Sequence, residues 1–170
     1  LIPQSVVVGW SDEMNRADRW KPLGVVNQAK IATPKPGLLS LSLKAVPAGW
    51  PYEYQWSGVT QEATVDVGKY PVLAARVVGL EGYAHLDIDV LDAKGKAVKG
   101  LRASTLTEPG LTKINLGESL DPAVYHLRIR LIVGGPNSGC RADYSWIRFY
   151  RAEDDAFVTA HPDYQGVVSK

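Results

Sequence analysis

Apolar and polar positions alternate with a period of two along most of this chain, the spacing that turns one face of a strand to a core and the other to water. Leu38 to Lys44 places Leu39, Leu41 and Leu43 on one side and Ser40, Ser42 and Lys44 on the other. His85 to Val90 repeats the pattern, with Leu86, Ile88 and Val90 inward and His85, Asp87 and Asp89 outward. Val124 to Val133 sets Tyr125, Leu127, Ile129 and Leu131 against His126, Arg128 and Arg130. In the last strand Ser145, Ile147 and Phe149 share a face, and Tyr144, Trp146, Arg148 and Tyr150 take the other. Ser5 to Trp10 predicts a first strand, and Val25 to Ile31 and Thr112 to Leu116 shorter ones.

The segment from Thr64 to Val78 organises the rest. It reads as strand, corner and strand: Gly68 supplies conformational freedom, and Pro71 fixes its own φ and biases Tyr70 towards extension. Turn-forming clusters punctuate the other strands at Pro34 to Gly37, Asp92 to Lys96 and Asp121-Pro122. Asp12 to Arg19, capped by Ser11, allows one or two helical turns but has too little apolar periodicity for a core helix. About nine strands and no long helix predict an all-β, two-sheet antiparallel sandwich. Alternation fades after Arg151, so residues 1–152 are expected to form the domain and 153–170 an extension or linker.

Composition narrows this picture. A chain of 170 residues fits one domain with a single core, and Cys140, the only cysteine, excludes an intrachain disulfide. Nineteen basic against eighteen acidic residues leave no global field for nucleic acid or anionic lipid, so charge recognition must be local. The aromatics are not interleaved with a basic cluster, which also argues against nucleic acid. No apolar run approaches the ~20 residues of a membrane span. LIPQSVVVGW is too short and lacks the basic start of an export signal, so it is read as folded chain; the absence of an initial methionine suggests a processed or excised fragment.

The corner VDVGKYPVLAARVV, the polar-faced strand and Gly-containing hairpin after it, YHLRIRLIV, and YSWIRFYR at the end together resemble the galactose-binding-like jelly roll. The resemblance covers roughly residues 38 to 152. That fold is common among carbohydrate-binding modules attached to bacterial polysaccharide-degrading enzymes. It implies a non-catalytic module that anchors a secreted, periplasmic or cell-surface protein to polysaccharide, beside a neighbouring catalytic domain. Several such modules hold a structural calcium with an aspartate of the final strand, and here Ser145 stands at that place. Asp12, Glu13, Asn15 and Asp18 offer oxygen ligands elsewhere, but their spacing fits no EF-hand loop. The expectation is therefore no cofactor, with a structural calcium as the open alternative.

A pyranose presents C–H groups on its face and hydroxyls at its edge, which flat aromatic rings and polar side chains respectively satisfy. Trp20, Trp50, Tyr52 and Tyr54, in or beside loops rich in Gly and Pro, are candidates for the aromatic platform, with Asn137 and Arg141 as polar partners. Tyr52, Tyr54 and Trp56 share one face, and packing inward in a strand competes with a binding role for all three. Arg76, His126, Arg128, Arg130 and Arg148 are candidates for a second, basic face suited to acidic polysaccharide. The competing explanation pairs that row with His85, Asp87 and Asp89 across neighbouring strands.

The same residues bear on other functions. Asp87 and Asp89 resemble a glycosidase pair but lack the third acidic residue of the sandwich glycosidases. Tyr83, His85, Tyr125 and His126 resemble the Tyr and His pairs of jelly-roll polysaccharide lyases. No complete hydrolase, metalloprotease or nucleotide-binding motif is present. A structural or adhesion sandwich contacting a neighbouring domain or protein is the remaining alternative.

Overall fold

The long alternating segments pair with partners far away in sequence. The computed structural model describes residues 5–24 and 27–169, and among these it contains twelve strands and one short α-helix. In chain order the strands are β1 (Val6–Asp12), β2 (Lys21–Pro22), β3 (Lys30–Lys35), β4 (Leu38–Leu43), β5 (Tyr54–Asp66), β6 (Val72–Glu81), β7 (Tyr83–Leu91) and β8 (Ala97–Arg102). There follow β9 (Gly110–Asn115), β10 (Val124–Pro136), β11 (Cys140–Tyr150), helix α1 (Asp155–Ala160) and β12 (Val167–Ser169).

Two sheets result. In the first, of seven strands, β11 is the hub: β6 pairs along one side of it, while β4 takes the N-terminal half of the other side and β1 the C-terminal half. Strands β9, β3 and β12 extend this sheet from β6, β4 and β1. The second sheet has five strands in the order β2-β5-β10-β7-β8. The corner after Asp66 carries the chain from the second sheet to the first; Asp66 Oδ1 accepts from the backbone of Gly68 at 3.0 Å and Lys69 at 3.3 Å, which fixes the turn. The core lies between the sheets, where Leu39, Leu41, Leu73, Ala75, Ile147 and Phe149 meet Val59, Leu86, Ile88, Leu127, Ile129 and Leu131. This is the expected antiparallel sandwich, with one parallel pair, β1 with β12, added at an edge.

Several elements depart from the sequence reading. Of the strand expected over Val25 to Ile31, Val25 and Val26 lie outside the described residues, and pairing begins only at Lys30. It then runs through Pro34, so that the turn sits at Pro36 and Gly37. Asp12 to Arg19 contains one 3-10 turn, Ala17–Arg19. In β11 the pairing with β6 slips around Tyr144 and Ser145, and the bulge shifts the alternation by one residue. Tyr144 therefore points into the core with Ile147 and Phe149, and its hydroxyl donates to the Ile132 carbonyl at 2.6 Å.

Residues 153–169, expected as an extension, pack on the outer face of the first sheet. Val158, Phe157, Tyr164 and Val167 cover Val6, Val8, Val72, Ala74, Trp146 and Tyr150. Polar contacts pin the segment: Trp146 Nε1 donates to the Pro162 carbonyl at 2.8 Å, and Arg148 Nη1 to that of Tyr164 at 3.1 Å. The signal that periodicity missed is that β11 is apolar on both faces near its end, as a strand covered on both sides must be.

Candidate functional site

The outer face of the second sheet carries the chemistry, and the register of β5, β10 and β7 sets its layout. Gly134 of β10 lies opposite Trp56 on one side and Tyr83 on the other. One step along, Ile132 lies between Gly58 and His85; the next step places Arg130 between Thr60 and Asp87. The two glycines allow a flat floor. A Cβ at Gly134 would collide with the Tyr83 ring, so that ring rests directly on the backbone of β10, and one at Gly58 would meet the Leu131 carbonyl and the tip of Ile132. Tyr83 and His85 stack nearly parallel, with ring centroids 6.0 Å apart.

These residues line an open cleft of about 500 Å³, with Trp56, Tyr83, His85, Asp87, Arg102 and Arg130 around it. Trp56 is 48% exposed, so its ring is free for a ligand. Arg102 holds Asp87 through Nε (2.9 Å) and Nη2 (3.4 Å), and Arg130 holds Asp89 through both terminal nitrogens at 3.2 and 3.3 Å. Thr60 Oγ1, His85 Nδ1 and Arg130 Nε, buried on three adjacent strands, have no hydrogen-bond partner among the described residues. Buried polar atoms are seldom left so, and a polar ligand settling in the cleft would give this floor a use.

Burial by itself would raise the Asp87 carboxyl, but hydrogen bonds from His85 and Arg102 outweigh it and hold the group below its ordinary value. A carboxyl lowered in the folded state stabilises the fold above its unfolded value, about 3.9, and that contribution is lost as pH falls through the lowered folded value. Arg102→Ala removes one of the two lowering partners. The acid-unfolding midpoint is then expected to move to higher pH, read as ellipticity against pH; an unmoved midpoint would mean that Arg102 does not hold Asp87.

A second depression of about 480 Å³ adjoins the first, with Gly24 and Trp56 lining both. Here the structure brings together Trp50, Tyr52 and Tyr54. The tyrosines are 67% and 64% exposed, while half-buried Trp50 braces the loop: its indole donates to the Tyr54 carbonyl at 3.3 Å and its ring meets Tyr52 edge-on at 5.7 Å. Asn137 also works as a brace, with Nδ2 donating to the Tyr52 carbonyl at 2.9 Å. The strand reading of Trp56 as an inward residue is corrected, because Gln55 is the buried neighbour. Gln55 reaches the carbonyls of Lys44 (2.8 Å) and Pro136 (3.1 Å), so a polar residue points inward and the aromatic one outward.

Other candidates fall elsewhere. Trp20 is buried in the core because β2 turns it beneath the second sheet, and it cannot serve as a platform. Arg141 lies on the outer face of the first sheet with Asp143 (3.3 Å) and Glu81 (3.7 Å). The single basic face also needs correction. Arg76 and Arg148 stand on the first sheet and His126, Arg128 and Arg130 on the second, with the whole sandwich between them. Arg148 is buried against Glu13, and Arg76 pairs with Asp163 at 3.1 Å. His126 meets Glu62 at 3.3 Å, and Arg128 donates to the Gly95 carbonyl at 3.3 Å. His85, Asp87 and Asp89, expected to face water, are buried, His85 against Tyr83 and the aspartates against Arg102 and Arg130.

In the acidic loop the carboxylates of Asp12, Glu13 and Asp18 are each taken by protein donors. Asp12 accepts from Met14 N (2.8 Å) and Gln61 Nε2 (3.0 Å), Glu13 is taken by Arg148, and Asp18 by Arg16. Their oxygens point at separate donors instead of converging. A larger depression of about 900 Å³ near the Asp66 corner is lined by the half-buried Tyr70, whose ring is laid against Gly9, and by Lys69 and Arg151.

No protein-family model matches the sequence, and a search of curated proteins finds no relative. Solved structures match in fold. A carbohydrate-binding module described in work on the promiscuous specificity of the β-sandwich superfamily aligns with a TM-score of 0.52 and 9% identity, over 82% of this chain and 58% of that one. The carbohydrate-binding and catalytic modules of Clostridium thermocellum endo-1,4-β-D-xylanase 10B, complexed with xylohexaose, align at 0.52 and 14% identity, over 85% of this chain and 28% of that one. The enzymatically active domain of bacteriophage CBA120 tailspike protein 4 aligns at 0.45 and 17%, over 81% of this chain. The present chain spans 20% of the tailspike domain's length. At these identities the likeness is one of fold, a β-sandwich.

Proposed function

We propose that the protein is a non-catalytic carbohydrate-binding module whose ligand, a polysaccharide chain, lies in the cleft on the outer face of the second sheet. The observation that carries this reading is the pairing of an exposed indole, Trp56, with a flat Tyr83 ring seated on Gly134, beside the N–H groups of Arg102 and Arg130. Rings cover the C–H face of a sugar, and the polar groups meet its hydroxyls. Because the cleft runs into the depression of Tyr52 and Tyr54, it suits an extended chain better than a single sugar.

The carboxylates argue against catalysis. Asp87 and Asp89 are buried and held by guanidinium groups, so neither is free to donate or accept a proton at a scissile bond. The xylanase structure with the same fold carries its module beside a catalytic one, and that supports an accessory role here. In this reading the module belongs to an exported protein and holds a neighbouring catalytic domain on its polysaccharide.

Native electrophoresis through gels containing neutral and acidic polysaccharides tests the function. Retardation by at least one polymer is expected, with no release of reducing or unsaturated sugar. Unretarded migration in every gel would remove the binding reading, and sugar release would remove the non-catalytic one.

A further inference from the structure

Resting on the reading that this cleft holds a polysaccharide, we infer that its ligand is acidic, a chain bearing uronate carboxylates. The register aligns one ladder across all five strands of the second sheet: Lys21 opposite Thr60, Thr60 opposite Arg130, Arg130 opposite Asp87, and Asp87 opposite Arg102. Neighbouring strands are about 4.8 Å apart, so Lys21, Arg130 and Arg102, each two strands from the next, recur about every 10 Å. That interval is comparable with the disaccharide repeat of an extended 1,4-linked chain. Trp56 and Tyr83 lie in a parallel row four residues back along the strands, about 13 Å away. A polymer crossing the sheet thus has aromatic rings on one flank and cations on the other.

Charge alone does not decide the matter, since aspartates accompany the arginines; exposure does. The Asp87 side chain is 8% exposed and that of its partner Arg102 67%; Asp89 is 12% exposed and Arg130 32%. Asp87 and Asp89 lie underneath and fix the guanidinium planes, so that along this ladder the charged groups offered to a ligand are donors. Arg102 uses Nε and Nη2 on Asp87, which leaves Nη1 for a ligand. Lys21 is exposed and enters no ion pair among the described residues. Hydroxyls both donate and accept, so a surface made for neutral sugar would expose acceptors too. A ladder whose exposed charged groups are donors matches carboxylates, which only accept.

Affinity gels containing polygalacturonate, alginate or glucuronoxylan, each beside its carboxyl-reduced form, test the inference. The protein is expected to bind at least one uronate polymer about tenfold more tightly than the reduced form, with the difference shrinking as salt rises. Lys21→Ala and Arg102→Ala should narrow that difference. Lys35→Ala, the same loss of charge on the first sheet, should not. Equal binding of charged and reduced polymers, or an equal effect of Lys35→Ala, overturns the acidic preference and leaves the sugar-binding reading standing. Absence of retardation by any polymer, charged or reduced, overturns both.

Discussion

Trp56→Ala is expected to weaken polysaccharide binding about 30-fold or more while the fold is unchanged. A central aromatic anchor truncated to alanine costs about 2 kcal/mol or more of binding free energy. Trp56 is positioned for that role: it lines both depressions of the face, and β10 presents only Gly134 between it and Tyr83. Half of its surface is already in water, so its removal leaves no cavity, and stability should change by no more than about 0.5 kcal/mol. Isothermal titration against the best retarding polymer, with thermal melts of both proteins, reads the two quantities separately. Full affinity in the variant would move the binding site off this face.

The contrast with Trp20 and Trp50 shows what periodicity conveys. Alternation places Tyr52, Tyr54 and Trp56 on a common face, and they do share one, but it does not say whether that face is inside. Ordinarily the more apolar face wins. Here the start of β5 is reversed because Gln55 finds two carbonyl acceptors inside and Ser57 receives the Ala29 N–H at 3.3 Å. Loop composition misleads in the opposite direction for Trp20, since two residues of pairing in β2 suffice to turn it into the core.

Lateral order is the larger gap. A period of two tells which side of its own strand a residue occupies, not which sheet holds the strand. Arg148 and Arg130 therefore look alike in sequence yet stand on opposite sides of the sandwich. Arg102 escaped notice because β8 is an exposed edge strand whose sequence, AVKGLR, lacks alternation. One local signal was readable. Gly58 and Gly134 occupy outward positions of long strands, where glycine is unfavourable unless another group must come close. Gly134 lies beneath the Tyr83 ring, and Gly58 lies close against the Leu131 carbonyl and the tip of Ile132.

Removing residues 153–170 is expected to cost at least about 5 kcal/mol, the whole stability of a domain at the low end of the usual range of about 5–15 kcal/mol. Burial of one large apolar side chain contributes about 1.5–3 kcal/mol, and the segment buries Val158 while covering Trp146 and Tyr150. Polar losses add to this. Asp154 is buried, accepts from Val7 N at 3.3 Å and pairs with Arg151 at 3.0 Å, so its deletion leaves an N–H of β1 without its acceptor. Arg148 would lose the Tyr164 carbonyl and keep a guanidinium pressed 4.2 Å above Trp146, newly open to water. Urea unfolding of the full chain, of the chain ending at Ala152, and of Val158→Ala separates these effects. The point variant should remain folded with a lower midpoint, and the truncated chain should show no cooperative transition. A truncated chain that melts like the full one would make the segment an extension after all, and the sandwich would end at Tyr150.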